Sequence, residues 1–331
     1  MALQIVEYVD SRAPDTAGVT TGFMIDGRVA DLGRVNAACT TVKSACDCPE
    51  CWQSALGLLT CEACFDAARQ FAAWLAAQDD QAHAELSTPL AEVRLLCPVP
   101  RPGKVFCLAQ NFPSHIGETR TIMPTEQEKK PRSGTTPKVF MKPTPNTICG
   151  PGDPILVSPN IRFLDYEAEM VVVIGKQCKY VEPEEAPQYI CAVSCLNDVS
   201  ERDLKIGQRT EVGEWDKFFD WLNGKWLDHF APMGPALVST REVDMNDLEL
   251  RCYVNGELRQ QGNTGEMVHN PAETVSYLSQ FLTLEAGDII AMGTPGGVGK
   301  ARGIKLIPGD EVTVELEHVG RLTNPVVAEP A

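Results

Sequence analysis

Two glutamates stand two residues apart in Asp165-Tyr166-Glu167-Ala168-Glu169, at the head of the β-branched run MVVVIG. In an extended strand, residues i and i+2 share a face, so Glu167 and Glu169 project side by side. Adjacent carboxylates repel, and burying such a pair calls for a cation, most naturally a hard, oxygen-preferring Mg²⁺, Mn²⁺ or Ca²⁺. The competing reading is the solvated face of an edge strand. Asp198, in Asn197-Asp198-Val199-Ser200 after the apolar CAVSCL, could supply a third carboxylate from a strand end. Equally, Asp198 or Ser200 could cap a helix running through ERDLK. His115 and Glu118 lie three apart and share a face if a helical turn forms there. A carboxylate beside an imidazole orients it and raises its basicity, which makes a general base able to deprotonate water. A surface ion pair is the plainer alternative.

Two further patterns carry chemistry of a different kind. Gly293-Thr-Pro-Gly-Gly-Val-Gly299-Lys300 departs from a phosphate-binding P-loop, with five residues between Gly293 and Gly299 and Ala301 after the lysine. Its amides and the Thr294 hydroxyl could instead grip a carboxylate, or the stretch could be a plain turn. The other pattern is cysteine-rich: Cys46, Cys48 and Cys51, then Cys61 and Cys64. Two Cys-x-x-Cys pairs nine residues apart suggest a structural Zn²⁺ site with a short spacer and a surplus Cys46. Unliganded thiols or a disulfide are the alternatives. Four thiolates would leave no open coordination position, so such a site would be scaffold and not catalyst.

The elements that must position these groups are mostly strands. Residues 4–9 and 22–35 read as short strands, the latter turning at Asp26-Gly27. An Ala-rich helix is expected from Phe65 to Gln81, with Phe71, Trp74 and Leu75 on one face. The Pro-rich CPVPRPGK at 97–104 marks a boundary, giving a variable N-terminal domain (1–100) with the Cys-rich segment and a catalytic domain (101–331). VFCLAQNF opens the second domain as a buried strand, and the polar segment 126–137 reads as a mobile surface loop. Strand-like runs follow at 170–175, 248–256, 288–293 and 311–320. A helix over Asn270–Leu282 is marked by a capping Asn270, Pro271 and Glu273. Strands with few helices imply an α+β, predominantly β fold and not alternating βαβ units.

Composition narrows the partners. With 45 acidic against 29 basic residues the net charge is −16, which argues against nucleic acid and against an anionic membrane surface. No apolar run reaches the roughly 18 residues of a transmembrane helix. Thirteen scattered cysteines without a recognisable secretion signal point to reduced thiols, hence to a cytoplasmic protein.

Taken in order, KVFCLAQNFPSHIGE, VFMKPTPNTICGPGDPI, LDYEAEMVVVIGK, NDVSERD, GKWLDHFAPMGP, VNGELRQQGNT and LEAGDIIAMGTPGGVG resemble the fumarylacetoacetate hydrolase family over roughly residues 101–328. The resemblance implies a mixed β-roll catalytic domain that commonly forms homodimers. It implies that Glu167, Glu169 and Asp198 are ligands of one Mg²⁺ or Mn²⁺, and that His115 and Glu118 form a water-activating dyad on a lid segment. It further implies that Lys225 is an active-site lysine, Lys142 a second basic residue near the substrate, and Thr294 a contact for the substrate carboxylate. The cysteine cluster is outside the family pattern. So is Phe112, where Tyr is usual. The stretch between Asp203 and Lys225, and the lid loop at 119–137, are longer than in the shortest relatives.

The reaction expected on this basis is hydrolysis of a C–C bond in a small anionic 2,4-diketo acid, acylpyruvate-like or a diketo-3-deoxy sugar acid, giving pyruvate and a carboxylic acid. Decarboxylation or enol–keto isomerisation of oxaloacetate or a 2-hydroxy-diene-dioate is the alternative.

Overall fold

A computed structural model of the chain describes residues 2–11, 18–42, 48–119 and 135–330. Cys46, and residues 126–134 of the polar segment expected as a surface loop, lie outside the described residues. The chain opens with strands β1 (Gln4–Asp10), β2 (Thr20–Ile25) and β3 (Arg28–Asp31). Asp26 and Gly27 both take positive φ, 46° and 73°, as a two-residue hairpin turn requires. The strand expected to reach residue 35 stops at Asp31, whose carboxylate accepts from the Arg34 amide and caps helix α1 (Leu32–Ala38). A 3₁₀ turn at Pro49–Trp52 leads into α2 (Ala55–Thr60) and α3 (Glu62–Ala76). The Ala-rich helix ends at Ala76 and not at Gln81, because Asp79 accepts from the Ala82 amide and starts a separate α4 (Asp80–Leu86). Strands β4 (Ser87–Pro89) and β5 (Val93–Leu95) follow.

Beyond the Pro-rich stretch come β6 (Val105–Ala109), α5 (Pro113–Thr119) and β7 (Lys138–Lys142), then the short β8 (Ile148–Cys149), β9 (Ile155–Val157) and β10 (Leu164–Asp165). Strands β11 (Ala168–Ile174) and β12 (Ile190–Asn197) run antiparallel, and β13 (Ser200–Glu201) follows. The helix that ERDLK might have formed is absent. A helix the sequence reading did not anticipate, α6 (Glu214–Asn223), precedes β14 (Ala231–Ser239), β15 (Glu249–Val254) and β16 (Glu257–Asn263). Helix α7 (Pro271–Ser279) has the expected start, with Asn270 and Glu273 forming a capping box and Pro271 in the first turn. The chain closes with β17 (Ile289–Ala291), α8 (Gly299–Arg302), β18 (Glu311–Leu316) and β19 (Gly320–Ala328).

The fold is α+β with more strand than helix. A twelve-stranded sheet runs β4-β3-β2-β1-β14-β12-β11-β17-β6-β7, with β5 on β1 and β8 on β14, so strands on both sides of the 97–104 stretch share it. A second sheet, β16-β15-β18-β19-β9, packs over one face of its centre. Met170 and Val172 of β11 meet Leu250, Cys252, Val312 and Val314 there. On the opposite face Val171 and Val173 meet a layer that includes Leu58 of α2 and Phe65, Phe71 and Leu75 of α3. Covered on both sides, β11 is buried at all seven positions, which explains its unbroken apolar run. Among the described residues no helix is long and apolar enough to cross a membrane.

Candidate active site

The C-terminal ends of β6, β12 and β17 and the N-terminal end of β11 lie at one edge of the large sheet, because β17 is parallel to β6 while β11 is antiparallel to β12 and β17. Glu167 precedes β11, Glu169 lies in it, and Asp198 follows β12. The register pairs Ala168 with Asn197, which brings Asp198 opposite Glu167, and the Asp198 amide donates to the Glu167 carbonyl at 2.9 Å. The Asn197 side chain accepts from the Glu167 amide at 3.0 Å and fixes the strand entry. All three acids are buried, and their nearest carboxylate oxygens lie within 4.8 Å of one another. The edge-strand and helix-cap readings of these acids therefore give way to a built cluster.

Three cations meet it. The Lys225 ammonium donates to Glu167 and Asp198, each at 2.6 Å. Lys142 donates to Asp198 from the other side and to the Val199 carbonyl at 3.0 Å. Arg202 spans Asp165 at 2.9 Å and Glu167. Burial disfavours the charge on both lysines, but the outcomes differ. Asp198 and Glu167 hold Lys225 above its ordinary range, whereas burial prevails for Lys142, helped by the charge of Lys225, and lowers it. Glu167 is held well below the carboxylate range: burial opposes its charge, but Arg202 and Lys225 outweigh that. Glu169 goes the other way. Burial and then the charges of Asp198 and Glu167 push it well above the usual range, and its hydrogen-bond partner is the Gly293 amide at 2.7 Å.

That imbalance tests whether the residues fit a metal. Asp165, Glu167, Glu169 and Asp198 face Lys142, Lys225 and Arg202, and a proton on Glu169 brings the cluster to neutrality. A divalent ion held by Glu167, Glu169 and Asp198 would offset the carboxylate repulsion that pushes Glu169 up. The donors are all hard carboxylate oxygens, converging and buried, a set suited to Mg²⁺ or Mn²⁺.

His115 and Glu118 lie on α5, as a one-turn spacing requires, with Nδ1 of the imidazole 3.6 Å from the Glu118 carboxylate. The far nitrogen, Nε2, is 4.0 Å from Glu167, so the His115–Glu118 pair lies beside the carboxylate cluster. Burial works against the Glu118 charge, but His115 and the Gly297 amide bring the carboxyl below its ordinary range.

The glycine loop after β17 grips carboxylates, and they are the protein's own. The Gly293 amide donates to Glu169, Gly297 to Glu118 and Gly299 to Asp165, each at 2.7 Å. The Lys300 amide adds a second bond to Asp165 at 3.0 Å. Gly293 has φ +87°, and a Cβ there would come within 2.7 Å of the Asn111 Cβ, so neither its conformation nor its space admits a side chain. Thr294 is buried, and its hydroxyl accepts from Gln260 at 2.8 Å, which leaves its own proton for another acceptor. Phe112 is fully buried and brings no hydroxyl near the dyad.

Three members of this network had no assigned role in the sequence reading: Arg202, Asp165 and Gln260.

The separate cysteine group also assembles, with the sulfurs of Cys51, Cys61 and Cys64 within 4.8 Å of one another.

The chain belongs to the fumarylacetoacetate hydrolase family. Residues 104–327 match the family model described as fumarylacetoacetate (FAA) hydrolase C-terminal. Among curated proteins, the chain is 40% identical over 242 residues to oxaloacetate tautomerase FAHD2B, mitochondrial, of Bos taurus, covering 72% of this chain and 71% of that one. Among solved structures, it resembles a fumarylacetoacetate hydrolase from Exiguobacterium antarcticum, with TM-score 0.69 and 27% identity over 99% of this chain and 100% of that one. It likewise resembles a maleylpyruvate hydrolase from Sphingobium sp. SYK-6 in complex with manganese(II) ion and pyruvate, with TM-score 0.68 and 25% identity over the whole of both chains. The protein is thus an enzyme of this superfamily with a Mg²⁺- or Mn²⁺-type carboxylate site. The cytoplasmic placement is overturned by the mitochondrial designation of the bovine relative. Reduced thiols separate a reducing compartment from an oxidising one; they do not single out the cytosol.

Proposed function

We propose that the protein is a Mg²⁺- or Mn²⁺-dependent keto–enol tautomerase acting on a small 2-oxo dicarboxylate of the oxaloacetate class. The observation that carries this is His115 Nε2 at 4.0 Å from the metal-ligand Glu167, with Nδ1 oriented by Glu118. Tautomerisation needs only a proton carrier beside the group that holds the 2-oxo acid. The bovine relative named an oxaloacetate tautomerase supports this outcome over C–C hydrolysis, which the sequence had put first.

A divalent ion held by Glu167, Glu169 and Asp198 supplies a Lewis acid for the 2-oxo acid end of the substrate. The chain's own residues do the rest. His115 takes the proton from the carbon next to the 2-oxo group and, in the reverse direction, returns it there. Glu118 keeps the other imidazole nitrogen protonated and the ring aimed. The Lys225 ammonium stabilises negative charge developing on the enolate oxygen, which exchanges its own proton with solvent, so that the proton lost at carbon is matched by one gained at oxygen, and the reverse. Lys142 and the Thr294 hydroxyl serve the substrate's carboxylates. Buried Phe112 keeps that corner apolar and limits competing water.

The test follows the decay of the ultraviolet absorbance of enol-oxaloacetate with Mg²⁺ or Mn²⁺, with and without chelator, beside pyruvate release from acylpyruvates and oxaloacetate. Metal-dependent acceleration of enol decay without pyruvate release is the expected result. Pyruvate and a carboxylic acid from an acylpyruvate, with no effect on enol decay, would replace this proposal with the hydrolase reading, in which the same dyad deprotonates water.

A further inference from the structure

We propose that Cys48, Cys51, Cys61 and Cys64 hold one structural Zn²⁺ that clamps the 3₁₀ turn and helix α3 together on the back of the sheet carrying the active site. This inference stands independently of the reaction proposed above.

Two Cys-x-x-Cys segments adopt the same local shape. Cys48 is the N-cap of the 3₁₀ turn at φ −88°, ψ 102°, and Cys61 is the N-cap of α3 at φ −112°, ψ 106°. Neither makes a side-chain capping bond. A Ser, Asp or Asn at either position would satisfy the free amides of the first turn; a sulfur there turns the same amides into donors toward a thiolate. Cys51 and Cys64 follow three residues later, which returns each second sulfur to the side of the first. The two knuckles face each other. Cys51, Cys61 and Cys64 bring their sulfurs within 4.8 Å of one another, and the Cys51 thiol is hydrogen-bonded to both Cys48 and Cys61.

Convergence of this kind separates a metal from a disulfide. A disulfide joins two sulfurs and gives a third no reason to approach. A tetrahedral Zn²⁺ with Zn–S of about 2.3 Å needs sulfurs about 3.8 Å apart, so Cys51, Cys61 and Cys64 would have to close by no more than about 1 Å, with Cys48 swinging in as the fourth ligand. Soft thiolates in a tetrahedral set select Zn²⁺ over the hard ion of the carboxylate site. All four ligands come from the protein, so the site is closed and structural.

The clamp has something to hold. Trp52, next to Cys51, packs on Phe71 of α3 with ring centroids 6.0 Å apart. Between the knuckles runs α2, whose first amide, on Ala55, donates to the buried carboxyl of Glu7 on β1. Leu58 of α2 and Phe65 and Leu75 of α3 then cover the large sheet.

The test is metal analysis of the full-length chain, purified under reducing conditions and washed with a chelator that strips Mg²⁺ and Mn²⁺. One equivalent of zinc per chain is expected, released when a mercurial modifies the thiols. Cobalt(II) replacement should give the thiolate charge-transfer and tetrahedral d–d bands. Cys48→Ser and Cys61→Ser should each lose the metal and lower Tm, while Cys46→Ser and Cys178→Ser retain it. Cys64 is buried, so its variant can fail for reasons of packing; Cys48→Ser and the cobalt spectrum of the native chain decide. Absence of zinc, an iron–sulfur absorbance, a disulfide mass under non-reducing conditions, or loss of zinc in Cys46→Ser but not in Cys48→Ser would each overturn the assignment.

Discussion

Glu7→Gln isolates one buried charge far from the carboxylate cluster. Glu7 lies on β1, 5% exposed, and accepts from the Ala55 amide and from the Thr21 hydroxyl at 3.2–3.3 Å. Burial raises its pKa from an ordinary 4.5 to about 7, although those two hydrogen bonds favour the anion. Between these values the folded chain keeps a proton that the unfolded chain has lost. The native state therefore binds more protons, and stability falls as pH rises from about 4.5 through 7, levelling off above. At 1.36 kcal/mol per pKa unit the full loss is about 3 kcal/mol. Gln carries no charge to desolvate; its carbonyl can accept from Ala55 while its amide donates to Thr21. The variant should match the parent near pH 4, exceed it by about 1 kcal/mol at pH 5 and by about 3 kcal/mol at pH 8. Urea midpoints of both proteins at pH 5, 6, 7 and 8 give the comparison, since all other titrating groups are common to the pair. A difference that is independent of pH, or that favours the parent as pH rises, would refute the reasoning.

Three further substitutions probe the active site. Glu169→Ala should remove Mn²⁺ binding, read by calorimetry or electron paramagnetic resonance, and lower metal-dependent turnover at least about 100-fold, the effect that even outer-shell changes can reach. His115→Ala should leave Mn²⁺ affinity nearly unchanged and lower kcat by about 10²- to 10⁴-fold, the range of general acid–base catalysis; an equal loss of metal affinity would make His115 a ligand instead of a proton carrier. Arg202→Met leaves Asp165 and Glu167 without their shared guanidinium, which should cost about 3–5 kcal/mol, read from denaturation midpoints. An unchanged midpoint would remove Arg202 from the structural role assigned to it.

The parts of this site that could be read in the chain were those with a local pattern. Glu167 and Glu169 followed from alternation at the head of β11, and the α7 start followed from its capping residues. Asp198 was ambiguous because Asp and Ser suit a helix cap and a strand end equally; only pairing of β11 with β12 resolves it. Lys142 and Lys225 have no local signature and came from resemblance alone, whereas Thr294 was also marked by its glycine-rich loop. Arg202 and Gln260 escaped because their partners lie 35 to 92 residues away in sequence. The Gly293–Gly299 loop was read as either a carboxylate grip or a plain turn; that it grips carboxylates, and that these belong to α5, β10 and β11, is a matter of tertiary structure. In the N-terminal region, Asp31 and Asp79 were helix starts in plain view, hidden by the hydrophobic continuity of the residues beside them.

The glycine loop holds Glu169 of the carboxylate cluster, Glu118 beside His115 and Asp165, the partner of Arg202, through main-chain amides at positions 293, 297 and 299. Main-chain donors are the same whatever side chain a codon specifies. A substitution elsewhere in the site leaves these donors in place and the machinery keeps its alignment. A change in loop length is another matter, since one inserted or deleted residue shifts every amide after it and uncouples acid from base from metal together. Descendants of such a sequence are free to explore substrates by substitution and are barred from doing so by insertion. One scaffold can thereby keep its proton-transfer apparatus constant while the molecules it acts on diverge.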